Sequence, residues 1–164
     1  MVKEIIHDVN LLQIKAEDAV KEDIDGVAQD LLDTLQANSH RCIGMAANMI
    51  GIAKAIIAVD TQAEARAMAA NAAQGAGMAG LAATAGNGEG LLLMLNPRYT
   101  KKSPRTYIVK EGCLSLSGER VAERHQWVEV IYRDMQWQKR KQRFAGLTAE
   151  IIQHEMDHLA GILI

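Results

Sequence analysis

His154-Glu155-Met156-Asp157-His158 falls near the end of a segment, roughly Thr148 to Ala160, that reads as a helix. Two histidines four residues apart lie about 40° from each other around a helix of about 3.6 residues per turn, so both imidazoles can face one metal ion. Glu155 projects beside the same place, where a carboxylate can take a proton from an activated water. The bland alternative is two unrelated histidines on a helix. A catalytic zinc-type site normally takes three protein ligands and leaves a position open. Only Leu159, Ala160, Gly161, Ile162, Leu163 and Ile164 follow the motif, and none can coordinate, so a third ligand has to come from upstream. Cys113, in Glu111-Gly112-Cys113-Leu114-Ser115, is the best candidate. A Cys-His-His set suits zinc and also ferrous iron, cobalt or nickel.

Working outward, Cys42-Ile43-Gly44-Met45-Ala46-Ala47-Asn48-Met49 supplies a third segment. In order and rough separation the three segments resemble the signature motifs of peptide deformylases: Gly-x-Gly-Leu-Ala-Ala-x-Gln, Glu-Gly-Cys-Leu-Ser and Gln-His-Glu-x-x-His. The resemblance covers residues 1–60 and 91–164. It implies removal of the formyl group from N-terminal formylmethionine, with release of formate. Carried over residue by residue, Cys113, His154 and His158 are metal ligands and Glu155 is the general base and acid. The backbone N–H of Leu114 is an oxyanion donor, and Ile43, Gly44, Met49 and Ile151 lie against substrate. The resemblance also implies Fe2+ as the native metal, with Zn2+, Ni2+ or Co2+ able to substitute, and Glu111 as a brace paired to Arg120 or Arg124.

Two positions depart from the pattern. Met49 stands where the family has a Gln whose amide helps hold the carbonyl oxygen, and a lost donor of that kind typically costs about 10²–10³ in rate. Asn48 is an alternative amide donor if the loop is shifted by one residue. Cys42 replaces the first Gly and reads best as a small buried residue. Asp157, on the side of His154 away from Glu155, suits a hydrogen-bond acceptor better than a ligand. The readings that follow are a working deformylase, a relative of weak activity that binds N-acylated peptides, and a hydrolase of another N-acyl amide.

The 164 residues suffice for one domain with its own core. A formal charge of −2 with both signs interspersed points to no nucleic-acid partner and no membrane anchor. The start of the chain lacks a signal-peptide pattern, which reads as cytoplasmic, and there the two cysteines are expected as thiols. Nascent chains at the ribosome are the substrates the resemblance suggests, although the chain stops soon after its last helix, where many bacterial relatives carry a further helix used in some for ribosome docking.

Between these motifs, Ile24, Val27, Ala28, Leu31, Leu32 and Leu35 fall at helical spacing between Asp23 and Gln36. Strands are expected at Ile52 to Asp60, at Leu91 to Leu95 ending in a turn at Asn96-Pro97, at Arg105 to Lys110, and from Val121 to Tyr132 with a return at Lys139 to Phe144. Thr148 is a plausible N-cap of the last helix and Gly161 its stop. Thr61 to Gly90, with twelve Ala and six Gly, reads as an insertion. Its Gly75-Ala76-Gly77-Met78-Ala79-Gly80 matches a dinucleotide fingerprint in letters but lacks the strand before it and the acidic residue after it. His40, His125 and His7 read as surface residues. The sum is an α+β domain over 1–164, with antiparallel sheets packed around a central C-terminal helix.

Overall fold

In the computed structural model, residues 1–72 and 90–164 are described. The chain opens with a short helix, α1 (Val9–Leu12), and then a helical stretch in three segments: a 3-10 turn at Lys21–Asp23, a wide π turn at Ile24–Ala28, and α2 (Gln29–Ala37). The expected amphipathic helix is therefore present but irregular. The wide turn re-phases its apolar stripe, so that Ile24 and Val27 reach the core along with Ala28, Leu31 and Leu35. β1 (Gly44–Ala46), a 3-10 turn (Ala47–Ile50), β2 (Ile56–Asp60) and α3 (Ala63–Ala72) follow. The second half contains β3 (Leu91–Lys102), β4 (Thr106–Cys113), β5 (Leu116–His125), β6 (Trp127–Arg133), β7 (Lys139–Ala145) and α4 (Gly146–Leu159).

Five strands form one antiparallel sheet in the order β1-β2-β3-β6-β7, and β4 and β5 pair as a separate two-stranded hairpin. Side chains alternate across a strand, so the unbroken apolar run of β2 requires cover on both faces. Ile56 and Ala58 join a cluster with Leu12, Leu31, Leu35 and Met45, whereas Ile57 and Val59 join one with Val128, Val130, Ile151 and Ile152 of α4. β6 is covered on one face only. Accordingly Val128, Val130 and Tyr132 are buried, and the intervening Trp127, Glu129, Ile131 and Arg133 are half-exposed. α4 thus lies centrally between the large sheet and the hairpin.

Several boundaries differ from the sequence reading, each for a local reason. The expected strand at 52–60 is regular only from Ile56. β3 does not stop at Asn96-Pro97 but continues through a bulge there. Pro97 has no N–H to give a ladder, and a bulge is one of the places a strand tolerates it. Asn96 adopts φ 54, and its side chain clamps Ala19 by accepting from the Ala19 N–H (2.7 Å) and donating to the Ala19 carbonyl (2.9 Å). The β4 strand runs three residues beyond Lys110 and ends on Cys113 itself. Thr148 is not the N-cap of α4: the helix starts at Gly146, directly after extended Ala145, and Thr148 lies inside its first turn. The first part of the Ala/Gly-rich stretch is α3, tied back by an Arg66–Asp60 ion pair. The run Gly75 to Gly80 lies outside the described residues.

Gly161 ends α4 at φ 76, and a Cβ there would sit 2.3 Å from the Gln13 carbonyl oxygen. Gly26 has nothing within 4 Å of its Cβ position. Gly161→Ala should therefore cost about 1–3 kcal/mol in urea denaturation. Gly26→Ala should be neutral or stabilise by up to about 1 kcal/mol. Equal effects of the two substitutions would contradict the packing described for the end of α4.

Candidate metal centre

α4 carries His154, Glu155 and His158 inward, with 7%, 3% and 0% of their surface exposed. That burial is costly for polar side chains unless each finds a partner. Cys113 is brought to them by the hairpin: the chain turns at Leu114-Ser115, and the pairing slips from Gly112↔Glu119 to Cys113↔Leu116. Its Sγ lies 3.2 Å from His158 Nε2, and one donor atom from each of Cys113, His154 and His158 lies within 4.8 Å of the others. These separations suit three ligands around one ion at about 2.0–2.3 Å.

Glu111 fixes the orientation of this set. Its Oε1 accepts from His154 Nδ1 (2.9 Å) and from Arg124 Nη2 (2.6 Å), and its Oε2 accepts from Arg124 Nε (2.9 Å). With Nδ1 committed to a carboxylate, His154 turns Nε2 toward the cysteine. Burial would raise the Glu111 carboxyl, but the hydrogen bonds from Arg124 and His154 outweigh it and hold it well below the usual range. The remaining Arg124 nitrogen, Nη1, donates to Asp157 (2.6 Å). Of the two candidate arginines, Arg124 is therefore the brace. Asp157 is indeed an acceptor, serving Arg124.

Burial pushes the Glu155 carboxyl up to about 7, and Glu155 Oε2 is buried with no partner among the described residues. A carboxyl near neutrality can both accept and return a proton. Burial, with the charges of His154 and Arg124, brings His158 down to about 4, which keeps it neutral. For His154, burial lowers the pKa, but hydrogen bonds with Cys113 and Glu111 overcome that and bring it up to about 10. A cation at this place competes with that proton.

A cleft of about 240 Å³ opens onto these groups and is lined by Ile43, Gly44, Met49, Leu114, Leu147 and Ile151 among others. All the sequence-derived substrate residues thus meet at one place. Gly44 is needed for the close approach, since a Cβ on it would lie 2.4 Å from Ile151 and 2.9 Å from Glu155. Met49 is buried, and its sulfur accepts from the Ala46 N–H (3.5 Å). Cys42 Sγ donates to the Gly44 carbonyl (2.8 Å), burial pushes its thiol up to about 12, and both cysteines are free.

Asn48 is not a replacement donor in the cleft. Its amide donates to the carbonyls of Leu12 (3.1 Å) and His158 (2.9 Å), tying the end of α4 to α1. Gln153, midway along α4, makes a similar clamp to the hairpin, accepting from the His125 N–H (2.8 Å) and donating to the His125 carbonyl (3.0 Å). Sequence reasoning missed both clamps; the only available signal was an amide residue within each motif. His40 and His7 are exposed, His7 bonding the Ser115 carbonyl, but His125 is half-buried and bonds the Ser103 carbonyl (2.7 Å).

Arg124→Met should destabilise the protein by about 3–5 kcal/mol, because it strands the buried Glu111 charge. Combining it with Glu111→Met should cost less than the sum of the two single changes, as read by denaturant titration. Simple additivity would mean that the two side chains do not act together.

A family model described as polypeptide deformylase matches residues 3–164. The chain is 42% identical over 164 residues to a peptide deformylase of Clostridium beijerinckii, covering all of both chains. It is 32% identical over 150 residues to one of Synechocystis, covering 91% of this chain and 66% of that one. Among solved structures, a peptide deformylase of Thermotoga maritima is similar in fold, with a TM-score of 0.75 at 22% identity, over 99% of this chain and 95% of that one. A Met-Ala-Ser-bound class I type b peptide deformylase from Acinetobacter baumannii gives a TM-score of 0.76 at 25% identity, over 99% and 97%.

Proposed function

The chain belongs to the polypeptide deformylase family, and from that premise we propose how its residues divide the work. It is a metal-dependent hydrolase that removes the formyl group from N-terminal formylmethionine. The observation that carries the assignment of roles is the convergence of Cys113, His154 and His158 beside an unpartnered buried oxygen of Glu155.

Cys113, His154 and His158 hold the metal. When bound there, a divalent ion supplies a Lewis acid that makes a water more acidic and polarises the formyl carbonyl. Glu155 Oε2 receives the proton of the attacking water and passes it to the leaving amine as the C–N bond breaks, giving formate and a free N-terminus. The backbone N–H of Leu114 donates to the developing oxyanion. Ile43 and Ile151 line the place of the methionine side chain, and Gly44 and Met49 lie against the substrate backbone and carbonyl. A thiolate with two imidazoles accommodates ferrous iron, and we take Fe2+ as the native ion, with Zn2+, Ni2+ or Co2+ able to replace it. Residues 1–164 form one deformylase-like domain in which about 61–90 is an insertion between β2 and β3. Its substrates are nascent peptides emerging from ribosomes, which places its work in the cytoplasm. No helix among the described residues is long and apolar enough to cross a membrane.

Anaerobically purified protein loaded with ferrous iron or nickel should release formate from a formyl-Met-Ala-Ser peptide. Glu155→Ala should lower kcat by about 10²–10⁴ through loss of the proton carrier. Met49→Gln should raise kcat by about tenfold or more if its amide reaches the oxyanion position. Undiminished turnover in Glu155→Ala would contradict the assigned base.

Nickel or zinc should raise the melting temperature of the parent and leave that of Cys113→Ala nearly unmoved, since an ion that binds only the folded state stabilises it by mass action. Equal shifts in the two proteins would remove Cys113 from the ligand set.

A further inference from the structure

The mouth of the cleft carries a cation that the chemistry above does not use. Arg41 lies in the loop between α2 and β1, is exposed, and lines the cleft beside Cys42. It is held in place, because its Nε and Nη2 both donate to Asn38 Oδ1, at 3.1 and 2.8 Å. Asn38 is itself 8% exposed, and its amide donates to the Thr34 carbonyl (2.8 Å) at the end of α2. The Arg41 backbone N–H donates to the Asn38 carbonyl (2.9 Å). A guanidinium fixed in this way loses little freedom on gaining an anion.

None of the described anions of the same cleft pairs with Arg41. Glu111 is taken by Arg124 and His154, Glu155 is buried at the reacting centre, and Glu150 accepts from the Tyr107 hydroxyl (3.5 Å). Among the described residues Arg41 makes no ion pair, and neither does Lys110, the other cation of the lining. A peptide whose formyl group lies at Glu155 has to leave through this mouth. We propose that Arg41 is a specificity-determining residue that receives a carboxylate of the substrate downstream of its formylated methionine. The proposal rests on the deformylase reading and narrows its substrate class to peptides that carry negative charge within the next two or three residues.

The test compares formyl-Met-Ala-Glu amide, formyl-Met-Ala-Gln amide and formyl-Met-Ala-Gln free acid, with the parent and with Arg41→Gln, Arg41→Glu and Lys110→Gln. The first peptide reports a side-chain carboxylate and the third a terminal one. For the parent, kcat/KM on at least one acidic peptide should exceed that on the neutral amide by about fivefold at low ionic strength, through KM rather than kcat. The ratio should shrink in concentrated salt. It should fall to about one in Arg41→Gln and below one in Arg41→Glu, and persist in Lys110→Gln. A ratio unchanged by Arg41→Gln, or abolished by Lys110→Gln instead, overturns the proposal. Calorimetric binding of the deformylated products, Met-Ala-Glu amide against Met-Ala-Gln amide, reads the same preference without turnover. Absence of formate release from all three peptides would therefore sink the deformylase reading, while product binding would still decide the role of Arg41.

Discussion

The carboxylate of Glu111, shared between Arg124 and His154, is the interaction on which the rest of the site depends. Among the described residues the β4–β5 hairpin has no strand partner in the large sheet, so its position against α4 rests on side chains. Glu111 comes from β4, Arg124 from β5, and His154 and Asp157 from α4. Together with the Gln153–His125 clamp, this buried cluster ties the hairpin that carries Cys113 to the helix that carries both histidines. A buried charge left without partners is expensive, and this one is surrounded by donors on both sides. The same carboxylate fixes the tautomer of His154, so one group serves both the architecture and the chemistry.

Much of this was legible in the sequence. The four-residue spacing of His154 and His158 predicts a shared helix face, and an upstream thiol was the best available third donor. The apolar run of β2 predicts a strand covered on both sides, as found between the α2 layer and α4. What could not be read locally depends on remote backbone. Asn48 bonds the carbonyls of Leu12 and His158, and Asn96 bonds Ala19, contacts that follow no period along the chain. The bulge at Asn96-Pro97 was mistaken for a turn because Pro removes a ladder donor in either case. The three-segment helix escaped because a π turn changes the phase of an apolar stripe without removing it.

Met49 shows how a departure from a family pattern can be structurally quiet. Its side chain fills the space at the back of the cleft, and its sulfur takes up the Ala46 N–H. Where the family pattern has an amide, this chain has a buried thioether that accepts a backbone N–H. The cleft mouth follows a different logic, with Arg41 positioned by the buried Asn38 rather than by a charge partner.

Whether Cys113, His154 and His158 share one ion is read most directly from a crystal structure of metal-loaded protein with anomalous diffraction collected at the absorption edge of the bound ion. One anomalous peak is expected about 2.3 Å from Cys113 Sγ and about 2.0–2.1 Å from a ring nitrogen of each of His154 and His158. An ion bound elsewhere, or held by the two histidines with Cys113 turned away, would contradict it.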